Sequence, residues 1–231
     1  MRNKIFFWTL TFCLLFSGCG LNNKNDRLVL HGRIELDEVH LGSKISGRVV
    51  SLAVSEGEEV KKDQLLGYLD LYDKRKKDLE RAESLFHSGA LPKEQLEDAR
   101  IAFQDQCLIS PIDGVVLLKG KFQGETVSSG QTIISIGSLK DVYAKVYIPE
   151  KDLGKIKLNQ PAQIKVDSFP DKVYPGKIIY IASFSEFTPK NVQTEEERTR
   201  RIYSIKIKPA NENEELKPGM PCDAEITGIG N

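Results

Sequence analysis

Several stretches of the chain alternate apolar and polar residues with period two. Val142, Ala144, Val146 and Ile148 are interleaved with Asp141, Tyr143, Lys145 and Tyr147, and Tyr203, Ile205 and Ile207 with Ser204, Lys206 and Lys208. Alternation of this kind predicts half-buried strands. Together with 162–166, 177–181 and 222–226, these stretches predict a small antiparallel barrel of about six strands within residues 140–228. Residues 28–36, inside a segment 28–40, either join that barrel or form part of a membrane-proximal piece. In residues 71–107 the period changes. Leu79, Ala82 and Leu85 or Phe86 recur at three- and four-residue spacing, as do Leu96, Ala99 and Phe103. That spacing predicts two amphipathic helices laid antiparallel. Ser88-Gly89-Ala90-Leu91-Pro92 separates them, with Gly89 suited to end the first helix and Pro92 to start the second. The charged faces, Lys74 to Asp78 and Glu94 to Asp98, suit a hairpin that projects into solvent. Each arm has about 15–17 residues, or roughly 25 Å.

An internal repeat brackets the hairpin. Ile45-Ser46-Gly47-Arg48-Val49-Val50 leads to Gly57-Glu58-Glu59-Val60 and Gln64; sixty-seven residues later Ile112-Asp113-Gly114-Val115-Val116-Leu117 leads to Gly124-Glu125-Thr126-Val127 and Gln131. Two matched halves of about 30 residues, rich in Val, Ile and glycine, predict short strands joined by turns. Gly47, Gly57, Gly114, Gly124 and Gly130 are the candidate turn positions.

The spacing of these glycines, Gly-Glu-x-Val and Gln resembles the two halves of a lipoyl or biotinyl carrier domain, here residues 41–70 and 108–139. Lys74, Lys76 and Lys77 lie between the halves, but without the Met-Lys carrier signature. A split lipoyl unit holding a helical hairpin (71–107) resembles the HlyD-type membrane fusion proteins, the periplasmic adaptors. The fold class so implied is mainly β: a lipoyl-like sandwich, a short α-hairpin insert and a small antiparallel barrel. The resemblance implies an adaptor between an inner-membrane exporter and a TolC-like outer-membrane channel, assembled as a ring, typically a hexamer. It implies a docking pattern at the hairpin tip carried by Arg81, Leu85, Gly89 and Pro92, where Pro92 replaces a serine. Asn159-Gln160-Pro161 and Leu216-Lys217-Pro218-Gly219-Met220 resemble the family's barrel turns. Phe187-Thr188-Pro189 with Glu195-Glu196-Glu197-Arg198 resembles the branch paired with ABC-type exporters. The charge run from Glu195 to Arg201 otherwise suits a solvated loop.

Charge and composition narrow the picture further. The 231 residues carry 33 basic and 33 acidic side chains, a balance unlike that of a nucleic-acid binder. The first residues stand apart: Arg2 and Lys4 precede an uncharged, mostly apolar run of 12 residues ending at Ser17-Gly18-Cys19. That run is short for a membrane span and suits a secretory signal. Cys19 after Ser17-Gly18 resembles a bacterial lipoprotein signal, which implies a signal peptide over 1–18, a lipid on Cys19, a tether over 19–27 and a periplasmic chain held at a membrane. Phe16 stands where that signal usually has Leu. Without residues 1–18 the net charge becomes −2. Cys107 and Cys222 are then the remaining cysteines, read as small buried hydrophobes without a disulfide. His31, His40 and His87 lack metal-ligand spacing, and no phosphate loop or nucleophile elbow appears. The reading is a non-enzyme without cofactor or metal; a carrier domain and a structural or binding lipoprotein are the alternatives.

Overall fold

The computed structural model describes residues 27–187 and 201–229. The opening apolar run, Cys19 and the charge run at 195–198 lie outside the described residues. In chain order, β1 (Leu28–Glu35) precedes a first group of strands, β2 (Glu38–Gly42), β3 (Gly47–Leu52), β4 (Glu59–Val60) and β5 (Leu65–Leu69). The helices α1 (Tyr72–His87) and α2 (Lys93–Gln104) follow. Then come β6 (Cys107–Ile109), β7 (Gly114–Lys119), β8 (Thr126–Val127) and β9 (Thr132–Gly137). A short 3-10 turn, Leu139–Asp141, leads to β10 (Tyr143–Pro149), α3 (Glu150–Leu153), β11 (Pro161–Val166) and β12 (Tyr174–Ile181). The last strands are β13 (Glu186–Phe187), β14 (Arg201–Pro209) and β15 (Pro221–Ile226). The fold is mainly β, a two-sheet sandwich with a helical hairpin and a closed barrel, as the sequence pattern predicts.

The sandwich has two four-stranded sheets, ordered β2-β9-β7-β4 and β6-β5-β3-β8. The 67-residue repeat is written into their pairing. Gly47 pairs with Val127 and Arg48 with Thr126; reciprocally, Gly114 pairs with Val60 and Val115 with Glu59. Each half is therefore completed by a strand of the other. The correspondence extends upstream of the matched glycines. Ser43 N–H donates to the Gln131 carbonyl at 3.0 Å, and Ser110 N–H to the Gln64 carbonyl at 2.9 Å. Their hydroxyls also correspond, Ser43 donating to the Ile45 carbonyl and Ser110 to the Ile112 carbonyl. Both serines are buried, and these bonds satisfy them. Val49, Val60, Leu66, Val116, Val127, Ile134 and Ile136 form the core between the sheets.

The glycines divide into two roles. Gly57 and Gly124 hold positive φ of 83° and 92° in equivalent turns, and Gly130 another of 80°. Gly47 and Gly114 are not turn residues: they open β3 and β7. At Gly114 the reason for glycine is close approach, since a Cβ there would lie 2.5 Å from the Gly137 carbonyl oxygen. A turn glycine and a contact glycine look alike in a sequence.

The barrel closes as β10-β1-β15-β11-β12-β14 and back to β10, with β13 added beside β14. Residues 28–35 thus belong to the barrel, whereas Glu38, Val39 and His40 already form β2 of the sandwich. Ala144, Val146 and Ile148 face Ile207, Ile205 and Tyr203 across the β10–β14 ladder and line the barrel interior. Ser204, on the outer face, is nevertheless buried; its hydroxyl donates to Glu186 at 2.8 Å under the added strand.

Candidate docking surface on the helical hairpin

The two modules attach to the sandwich through equivalent positions. At the barrel end, Leu36 enters and Leu139 leaves, both buried in the barrel's core cluster, with Leu117 packed against them. Sixty-seven residues away in each case stand Phe103 and Tyr72, the foot of the hairpin, with ring centroids 5.2 Å apart. Tyr68 stacks on Tyr72 at 4.5 Å. The same socket thus holds an aliphatic pair at one end and an aromatic pair at the other.

Gln106 locks the foot. It is 2% exposed; its carbonyl accepts from Leu69 N–H at 2.9 Å and its side-chain oxygen from Leu71 N–H at 3.2 Å. The peptide entering α1 is thereby held by the peptide leaving α2. Lys44 reaches Asp105 beside it at 3.5 Å. Sequence reading missed Gln106. The available signal was a lone amide between the last helical apolar residue and β6, at the repeat position filled by Val39 in the other half.

Beyond the foot the hairpin is thinly packed. Its buried side chains are Ala82 on α1 and Leu96 on α2. The arms are unequal, 16 and 12 residues, or about 24 and 18 Å. The second is shorter than predicted because Asp105 and Gln106 leave the helix to build the foot. At the tip, Gly89 with φ 76° closes α1: Ala90 N–H donates to the Leu85 carbonyl at 2.9 Å and Gly89 N–H to the Phe86 carbonyl at 3.0 Å. This is the double bond of a Schellman cap. Pro92 sits at the N-cap of α2, with extended backbone, rather than at its first helical position. Arg81 is 72% exposed and touches only the edge of Asp78, at 3.8 Å. Leu85 and Phe86 are exposed at 41% and 36%. The structure brings Arg81, Leu85 and Gly89 onto one end of the molecule, a guanidinium and two apolar side chains over a fixed cap.

The chemistry elsewhere is that of a scaffold. His31 bonds Asp223 at 2.6 Å on the barrel exterior, His40 bonds Ser135 at 2.9 Å, and His87 lies against Phe86 at the tip. Cys107 and Cys222 are free thiols; burial pushes Cys222 up to about 12 and raises Cys107 as well. Lys208 and then Ser138, hydrogen-bonded to Asp141, hold its carboxyl below the usual range. Among the described residues, no group of three or more His, Cys, Asp or Glu is placed to hold a metal ion, and no helix is long and apolar enough to cross a membrane.

A sandwich that carries a closed barrel at one end and a projecting hairpin at the other is a connector. Comparison with known proteins agrees with that class. Residues 37–137 match the family described as the RND MFP barrel-sandwich hybrid domain, and residues 142–226 the YknX-like beta-barrel domain. A UPF0194 membrane protein of Acidithiobacillus ferridurans is 36% identical over 152 residues, 66% of this chain and 44% of that protein. The chain thus spans less than half the length of that relative. A UPF0194 membrane protein of Yersinia pestis is 24% identical over 287 residues, covering 84% of this chain and 88% of that one. Among solved structures, a MacA-MexA chimeric protein containing the Pseudomonas aeruginosa MexA α-hairpin domain is 26% identical with TM-score 0.66, covering 90% of this chain and 84% of that one. MacA from Actinobacillus actinomycetemcomitans shares the fold at 23% identity and TM-score 0.61, covering 88% and 78%. The chain belongs to the membrane fusion proteins, the periplasmic adaptors.

Proposed function

We propose that this adaptor couples an inner-membrane exporter of the ABC type to a TolC-like outer-membrane channel, for efflux or secretion. It works as a self-associated ring, typically a hexamer, held at the membrane, the inner one in this reading, by a lipid on Cys19. The observation that carries the reading is the hairpin tip. Leu85 and Phe86 are apolar, solvent-facing and held at the end of a rigid helix by the Gly89 cap, and such side chains suit an apolar groove on a partner. Arg81 lies four residues before Leu85, on the same face, and offers a planar fork of donors to carbonyls or carboxylates. The match of the barrel to the YknX-like domain, beside the MacA structures, supports the adaptor setting. The carrier alternative lacks its modified lysine: the helical hairpin stands where that lysine's turn would be.

Export measured in cells tests this. Leu85→Asp and Arg81→Asp are expected to abolish export with unchanged protein level and melting temperature. Full export by both variants would overturn the docking assignment. Cys19→Ser is expected to lose incorporation of labelled palmitate, and an unlabelled parent chain would remove the lipid anchor.

A further inference from the structure

The hairpin's charges are segregated by helix. On α1, Lys74, Lys77, Arg81 and Leu85 follow one another at three- and four-residue steps and are all exposed. At about 100° per residue they form one stripe, turned well away from the face that buries Ala82. On α2, Glu94, Glu97, Asp98 and Ile101 form a second exposed stripe, opposite the face that buries Leu96. One stripe is basic with an apolar residue toward the tip; the other is acidic with an apolar residue toward the foot. Within the chain these charges are largely unspent. Glu97 holds Arg100 at 3.2 Å and Asp78 holds Arg75 and Arg81 near 3.7–3.8 Å, but Lys74, Lys77, Glu94 and Asp98 make no ion pair among the described residues.

Heights along the hairpin match as well as signs. Taking the Tyr72–Phe103 contact as the foot, Lys77 and Asp98 each stand five residues above it, about 7.5 Å at helical rise. Lys74 and Ile101 each stand two residues above it, about 3 Å. The Lys74 stem can therefore cover an exposed Ile101 while its ammonium stays in water. We infer that the α1 stripe of one copy packs against the α2 stripe of a second copy, side by side, parallel and without vertical shift. Lys77 then meets Asp98 of the second copy. Such a contact uses two different faces, so it is head-to-tail and closes into a ring when repeated by rotation.

Size determines what this contact does. One helical face about 24 Å long and 10 Å wide offers about 250 Å², far below the roughly 800 Å² per partner of a stable interface. Exposed charge pairs also add little affinity. The stripes therefore set polarity and register, while the sandwich and barrel supply the remaining area. Salt should weaken this register, because the pairs are solvated.

The inference rests on the adaptor reading only for its setting, and its test needs neither exporter nor channel. Two full-length chains with different tags, Lys77→Cys and Asp98→Cys, both carrying Cys107→Ser, are co-expressed. Membranes are treated with a short bis-maleimide. The mixed pair is expected to give a cross-linked dimer at least fivefold above either chain alone, falling in 0.5 M salt. Lys77→Asp is expected to reduce cross-linking between other reporter positions, and adding Asp98→Lys to restore it. Equal dimer from Lys77→Cys alone would mean a symmetric α1–α1 contact and overturn the proposal. Absence of dimer from folded, co-expressed chains would do the same. Loss of export with intact cross-linking would count against the docking reading and leave this one standing.

Discussion

Asn211 donates from Nδ2 to the Leu139 carbonyl at 2.7 Å, pinning the turn that leaves the sandwich to the loop before β15. The same amide donates to the Leu216 carbonyl at 3.0 Å and accepts from Leu216 N–H at 2.9 Å. Asn211 is buried, and all three bonds lie within the barrel's core region. Asn211→Ala would leave Leu216 N–H and two carbonyls without partners. At 1–3 kcal/mol for each buried group left unpaired, a loss of about 3 kcal/mol is expected. Thermal unfolding should register it as a fall of roughly 6–12 °C. An unchanged melting temperature would show that the pin is dispensable.

Gly47 and Gly114 are repeat partners with different surroundings. A Cβ at Gly114 meets the fixed Gly137 carbonyl at 2.5 Å, whereas at Gly47 the nearest atom is the Asp70 side-chain oxygen at 3.1 Å, which can move aside. Gly114→Ala is expected to cost about 2 kcal/mol by overpacking, and Gly47→Ala well under about 1 kcal/mol. Parallel denaturant titrations check the order; equal costs would refute the close-approach account.

Gln106→Leu removes the acceptor for Leu71 N–H while keeping the foot filled. About 1–2 kcal/mol of stability should go. The more specific effect is on direction: spin-label distances between the hairpin tip and the barrel should broaden. A distribution as narrow as that of the parent would assign the hairpin's direction to the aromatic stack alone.

Acid should loosen the barrel through Asp141 and Glu215. Lys208 and Ser138 bond the first; Lys172 and Tyr174 bond the second, and both carboxyls are held below their ordinary values. A depressed folded-state value gives stability that is full above the unfolded carboxylate range near pH 4. It is lost as pH falls through the folded value. Asp141→Asn should therefore lower the melting temperature at pH 7 and leave it unchanged near pH 2. A constant difference across that range would contradict the linkage.

Much of this was legible in the residues, for identifiable reasons. Alternation at Val142 to Ile148 specified an inward face, because a strand pairing out of phase would expose four apolar side chains. The repeat was legible through Gly-Glu-x-Val, since glycine tolerates little replacement in those turns. Its extension to Ser43 and Ser110 was hidden: serine is common on surfaces, and only the paired hydrogen bonds show it at work. The hairpin tip was readable from Gly89 and Pro92, but the length of α2 was not. Gln106 counts as helical by composition, and its bonds to Leu69 and Leu71 are made across 35 residues or more. Long-range polar locks of this kind leave no local pattern.

The exchange of strands between the two halves of the sandwich also has a mechanical consequence. A pull between barrel and hairpin enters at Leu36 and Leu139 and leaves at Tyr72 and Phe103. Between those points the load crosses Gly47–Val127 and Gly114–Val60, the rungs by which each half holds a strand of the other. Neither half can yield first, because its own closing strand is anchored in its neighbour. The sandwich is a tension member with two versions of one grip, able to pass movement from one end to the other without taking up slack.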